Sequence, residues 1–120
     1  STASIITKDR LIILPQTSGE IYAIDSISGN DIWKNNLVSN KSSSASFTLH
    51  DINITPAISG NTIFASSNLS KLFALDIFTG EILWKIDNIN VKHIWPTSNF
   101  VFILSSKNEL IALQNSNGKV

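Results

Sequence analysis

The sequence predicts an all-β protein built from repeated units of four antiparallel strands, and three observations carry that prediction. The spacing A-x-D-x-x-x-G-x-x-x-W occurs as Ala23, Asp25, Gly29 and Trp33, and again as Ala74, Asp76, Gly80 and Trp84. It begins a third time with Ala112 and Gly118, with Gln114 where the acid would stand. Short apolar runs are bounded by Gly, Asn, Asp and Ser, and no stretch sustains a 3.6-residue period. A unit of four strands returning after about 40 residues is the signature of a β-propeller blade.

One unit can be read residue by residue. Leu72-Phe73-Ala74-Leu75 is apolar on both alternating faces, which predicts a strand covered on both sides. Asp76 to Gly80 is a turn: the Asp side chain bonds backbone just ahead of it, and Gly supplies positive φ. Glu81 to Lys85 returns as the second strand of a hairpin. Trp84 is too large for one hairpin to bury, so it needs a neighbouring sheet over its ring and an acceptor for its N–H. Ala74 is small and leaves room for a group to approach. These requirements together predict sheets stacked face to face.

The remaining elements follow in order. Ser1–Ile6 and Leu11–Leu14 read as strands around a polar turn at Lys8 to Arg10. Residues 21–25 and 31–34 form the first copy of the hairpin. Residues 41–46 are Ser-rich and read as a loop. The second unit has strands near 55–59, 62–66, 71–76 and 81–86, with Pro56 best placed at a strand start. Residues 100–104 and 110–113 are strands of the third. The expected divisions are a first blade over 1–40, an inserted loop over 41–50, a second blade over 51–90 and a truncated third blade over 91–120. Three blades do not close a ring of the usual 4–8. The stretch therefore reads as part of a larger ring, with a ring assembled from several chains as the alternative.

Composition narrows the function classes. Nine Lys and Arg balance nine Asp and Glu, giving a formal net charge of +0. No basic cluster suggests a grip on nucleic acid or an anionic membrane. There is no Cys, which excludes disulfides, thiolate metal sites and thiol nucleophiles. No apolar run approaches a helical membrane span.

The repeated Ala, Asp, Gly and Trp positions resemble the tryptophan-docking repeat of the quinoprotein-like (PQQ-like) β-propellers. Within that group, Leu49 to Ile58 resembles the approach to a middle blade in the BamB family of outer-membrane assembly lipoproteins, and Asn108–Leu113 resembles a strand of the blade that follows. The resemblance implies an eight-bladed ring without cofactor, on the periplasmic face of the bacterial outer membrane. It implies a non-enzymatic scaffold that binds the central barrel-assembly outer-membrane protein of the Bam complex. Asp51 matches an acidic contact position of the approach loop, and Asn53 stands where some relatives carry a second acid. Unfolded outer-membrane clients are a further implied partner, by strand addition at exposed edges.

Each candidate residue has a plainer reading. Asp25 and Asp76 are turn caps before they are metal ligands. Trp33 and Trp84 recur once per blade, which fits packing between blades rather than a cofactor site that would occur once per ring. His50 and His93 lack zinc-ligand spacing. Ser42, Ser43 and Ser44 lack the elbow of a serine nucleophile. Asp51 alone would be a solvated loop acid. The expected function is thus the scaffold, with no catalytic, metal or cofactor-binding residue. The alternatives are a fragment of a PQQ- and calcium-dependent dehydrogenase, which needs clustered carboxylates around a stacked quinone, or a sensor propeller.

Overall fold

The protein is described by a computed structural model over residues 6–16, 18–37 and 54–120. Its described strands are β1 (Ile6–Lys8), β2 (Leu11–Pro15), β3 (Glu20–Asp25), β4 (Asp31–Asn36), β5 (Ile54–Ser59), β6 (Thr62–Ser67), β7 (Lys71–Asp76), β8 (Ile82–Asp87), β9 (Val91–Pro96), β10 (Phe100–Ser105) and β11 (Leu110–Gln114). They form three antiparallel sheets with neighbours in chain order: β1-β2-β3-β4, β5-β6-β7-β8 and β9-β10-β11. No helix lies among the described residues. The fold is the all-β, blade-by-blade architecture of a propeller.

Strand register explains why the repeat works. Phe64 pairs with Ala74 in the second sheet, and Phe102 pairs with Ala112 in the third. Ile13 pairs with Ala23 in the first. A large side chain thus sits beside the small motif Ala in every blade. Residues on the two faces of each sheet alternate along the strand, and the two faces enter different cores.

One core joins Ile13, Ile21, Ala23, Trp33 and Leu37 of the first sheet to Ile54, Ile63, Ala65, Phe73, Leu75 and Ile77 in and beside the second. The other joins Phe64, Leu72 and Ala74 of the second sheet to Val101, Ile103 and Leu113 of the third. The middle sheet is therefore covered on both faces, which accounts for the unbroken burial of Leu72, Phe73, Ala74 and Leu75. We call the face each sheet turns toward the next blade its trailing face, and the opposite one its leading face.

The innermost strands are β1, β5 and β9, and the outermost are β4 and β8. Both outermost strands carry a β-bulge that the sequence reading did not include. Ala23 opposes Trp33 while Ile24 opposes Asp31, so Ile32 is the extra residue. Ala74 opposes Trp84 while Leu75 opposes Ile82, so Leu83 is the extra residue. A bulge re-aims the side chain beside it and twists the strand. Here it directs each tryptophan while leaving Ile32 and Leu83 exposed. Bulges, together with Lys34 and Lys85 on the same strands, also discourage strand addition at these two outer edges.

Candidate functional site

The recurrent constellation is the joint between successive blades. It is built first from the motif turn. In the first blade the Asp25 carbonyl accepts from Gly29 N–H at 2.8 Å, and Asp25 N–H donates to Asn30. The Asp25 carboxylate accepts from Ile27 N–H at 2.8 Å, and the Ser28 hydroxyl accepts from Asn30 N–H at 3.2 Å. The second blade repeats each bond: Gly80 to Asp76, Asp76 to Glu81, Phe78 to the Asp76 carboxylate, and Glu81 to the Thr79 hydroxyl. The third blade keeps the backbone turn although Gln114 replaces the acid. Gly118 N–H donates to the Gln114 carbonyl and Gln114 N–H to Lys119, both at 2.8 Å, while Asn117 Oδ1 accepts from Lys119 N–H.

The turn then receives the tryptophan of the blade before it. Trp33 is 9% exposed and donates its indole N–H to the Ile77 carbonyl at 2.8 Å. Its ring lies on Gly80, where an added Cβ would sit 2.3 Å from a ring carbon. Trp84 donates to the Asn115 carbonyl at 2.7 Å, and its ring lies on Gly118, where a Cβ would sit 2.7 Å from a ring carbon. Both glycines also have positive φ, +75° and +72°. The motif glycine is thus needed twice, once for the turn and once for the close approach. Ala23 and Ala74 lie opposite the same tryptophans across the hairpin.

Electrostatics at the joints are local. The Ile27 N–H holds the Asp25 carboxyl below its ordinary range; burial opposes that shift, and the Arg10 guanidinium at 2.7 Å adds to it. The Lys71 ammonium at 2.8 Å lowers Asp87 likewise. A hydrogen bond to Glu20 pushes the Tyr22 hydroxyl up. Among the described residues there is no group of three His, Cys, Asp or Glu able to hold a metal. His93 is exposed and stacked on Trp95 with ring centroids 5.6 Å apart.

Asp51 and Asn53, the residues expected to meet a partner, lie outside the described residues, as do His50 and Ser42–Ser44. The residue that follows Asn53 is Ile54, which begins β5 and is 5% exposed within the first core. It lies at the end of the blades opposite the motif turns, where Leu37 N–H also donates to the Gly19 carbonyl.

The family model for "Outer membrane protein assembly factor BamB" matches residues 1–120. The chain belongs to the BamB family. BamB of Yersinia pestis is 26% identical over 101 residues, covering 84% of this chain and 26% of the relative. The crystal structure of BamB from Moraxella catarrhalis superimposes with a TM-score of 0.69 at 20% identity, covering 98% of this chain and 35% of that one. The quinohemoprotein alcohol dehydrogenase of Comamonas testosteroni superimposes with a TM-score of 0.72 at 18% identity, covering 98% of this chain and 20% of that enzyme. At these identities the structural likenesses show the fold alone. The chain spans between 26% and 31% of the length of the first curated relatives it matches.

Proposed function

We propose that this chain is a scaffold segment of the outer-membrane protein assembly machinery, without catalytic activity of its own. It acts at the periplasmic face of the outer membrane and binds the central barrel-assembly protein. The observation that carries this reading is the BamB family match along the whole chain. The blade architecture supports it, because Trp33 and Trp84 hold one blade to the next while the motif Asp residues cap their own turns. The approach to β5, with Asp51 and Asn53, is the assigned contact surface. An acid there pairs with a partner cation and mainly sets encounter rate and orientation.

The test is titration of the protein, and of Asp51→Arg beside it, against the soluble periplasmic domains of the barrel-assembly protein. Saturable binding that weakens at least tenfold in the variant, about 1.4 kcal/mol, is the expected result. Equal binding by both keeps the scaffold and removes Asp51 from the interface. Absence of binding by a folded protein rejects the assignment. A quinone absorbance that copurifies with the protein would instead favour the dehydrogenase reading.

A further inference from the structure

We propose that the inner rim of the second joint, between blades two and three, binds a small oxyanion, a carboxylate or a phosphate, through Ser66, Thr55 and Lys92. The joints are built from repeated positions, and at this rim the repeat is broken twice. Ser66 pairs with Leu72, as Pro15 pairs with Ile21 in the first blade and Leu104 with Leu110 in the third. A hydroxyl thus stands in the second blade where the other two carry an apolar side chain. The second break is in β9. Leu104 opposes His93 while Ser105 opposes Val91, so Lys92 is an extra residue. In the second blade Ser66 opposes Thr55 and Ser67 opposes Ile54, with nothing inserted. A bulge re-aims the side chains beside it and is over-represented next to functional sites.

Both departures meet in one place. Ser66 lies on the trailing face of the second blade with Phe64, and Thr55 is directly opposite it. The third blade turns β9 toward that face. Between them runs a groove of about 320 Å³, with Thr55, Ser66, Val91, Lys92 and Ile94 among its walls. It lies inside the array, between two successive blades. Ser66 is only 8% exposed, yet its hydroxyl has no hydrogen-bond partner among the described residues. Leaving a buried polar group unpaired costs free energy, so such a hydroxyl in the wall of a groove calls for a ligand. At the matching rim of the first joint, Pro15 and Ile54 are both apolar and buried.

The chemistry of the walls selects the ligand. Ser66 and Thr55 offer hydroxyl donors, and Lys92 offers an ammonium. Among the described residues Lys92 makes no ion pair, and its contact with the neutral Asn108 Oδ1 is long, 3.4 Å. No Asp or Glu lines the groove. A cation and two hydroxyls without a carboxylate suit a ligand that only accepts hydrogen bonds and carries negative charge. Packing between blades needs the same parts at every joint, whereas these parts occur at one joint alone. The inference does not rest on the partner proposed at the Asp51 approach, and binding of a small anion is read separately from binding of that partner.

The test is an NMR titration of the whole chain with inorganic phosphate and, separately, with acetate, at an ionic strength held constant with chloride. The expected result is saturable movement of the Ser66 and Lys92 amide signals. Saturation with phosphate alone identifies a phosphate ligand, and saturation with acetate a carboxylate. Lys92→Gln should weaken binding about tenfold and Ser66→Ala about threefold, as loss of charge-assisted hydrogen bonds implies. Lys107→Gln removes an exposed lysine of the same blade outside this groove and should bind like wild type. Tryptophan fluorescence checks that each variant is folded. Absence of saturable shifts with either anion overturns the proposal. So does a Lys92 or Ser66 variant that binds like wild type, or a Lys107 variant as weak as Lys92→Gln. Lys92 is exposed, so its variant keeps the comparison even where Ser66→Ala disturbs packing.

Discussion

The first joint, between blades one and two, and the second, between blades two and three, use the same parts to different effect. In the first, Trp33 is nearly covered, Leu37 and Phe73 are buried beside it, and Asn35 Nδ2 donates to the Gly80 carbonyl at 2.7 Å. In the second, Trp84 is only half-buried, Asn88 stands at the place of Leu37, Ile111 at that of Phe73 and Ile86 at that of Asn35. A groove of about 510 Å³ remains there, lined by Ile86, Ile111 and Leu113 among others. The indole hydrogen bond has nearly the same length in both joints. What differs is the apolar packing around it, so the bond sets the geometry of a joint and the surrounding side chains set its strength.

Removing each indole gives the largest contrast. Trp33→Ala should cost about 3–5 kcal/mol, as expected for deletion of a buried aromatic. Trp84→Ala should cost about 2–3 kcal/mol, because less of its ring is covered. Urea denaturation of the two variants checks the order, and equal losses would show that the groove does not weaken the second joint.

The motif glycines sharpen the same comparison on a smaller scale. Gly80→Ala combines a left-handed backbone with a Cβ driven into the Trp33 ring, and should cost about 3 kcal/mol. Gly118→Ala meets a slightly more distant ring and should cost about 2 kcal/mol. Gly29 has the same positive φ with nothing near its Cβ direction, so Gly29→Ala should cost only the backbone strain, about 1 kcal/mol. Shifts in denaturation midpoint should fall in that order. A Gly29 variant as damaging as Gly80 would mean that backbone strain, not ring contact, dominates.

The smallest effect concerns acid. The folded-state pKa of Asp25 lies below its unfolded value, so the carboxylate stabilises the fold above the unfolded value, near 3.9, and that contribution is lost as pH falls through the folded value. Asp25→Asn keeps an acceptor for the Ile27 N–H while removing the charge. Its stability should fall less steeply than that of wild type between pH 5 and pH 2, about the range where carboxylates protonate. Acid titration followed by tryptophan fluorescence measures this, and an unchanged slope would rule out Asp25 as a contributor.

Much of this arrangement was readable in the chain because its chemistry is local. An Asp capping the backbone two residues ahead leaves a short-range signature, and the hairpins follow from it. The unbroken apolar run Leu72-Phe73-Ala74-Leu75 showed that the middle sheet is covered on both faces. The partner of each indole was not readable, because it is a backbone carbonyl and any residue type could supply it. Nor were the bulges at Ile32 and Leu83, since an apolar residue before a tryptophan looks like an ordinary strand position. Gln114 was read as a departure from the motif, yet its turn closes through backbone bonds that do not depend on a carboxylate. The expected partner contacts at Asp51 and Asn53 rest on resemblance, because no local chemistry of a loop acid identifies what it meets.

Each joint also has a direction in time. Trp33 precedes the carbonyl that receives it by 44 residues, and Trp84 precedes its own by 31. An indole therefore has no seat until the motif turn of the following blade has formed, and the blade before it exposes an aromatic ring until then. Order at each joint runs from one blade to its successor, so neighbouring repeats complete one another along the chain.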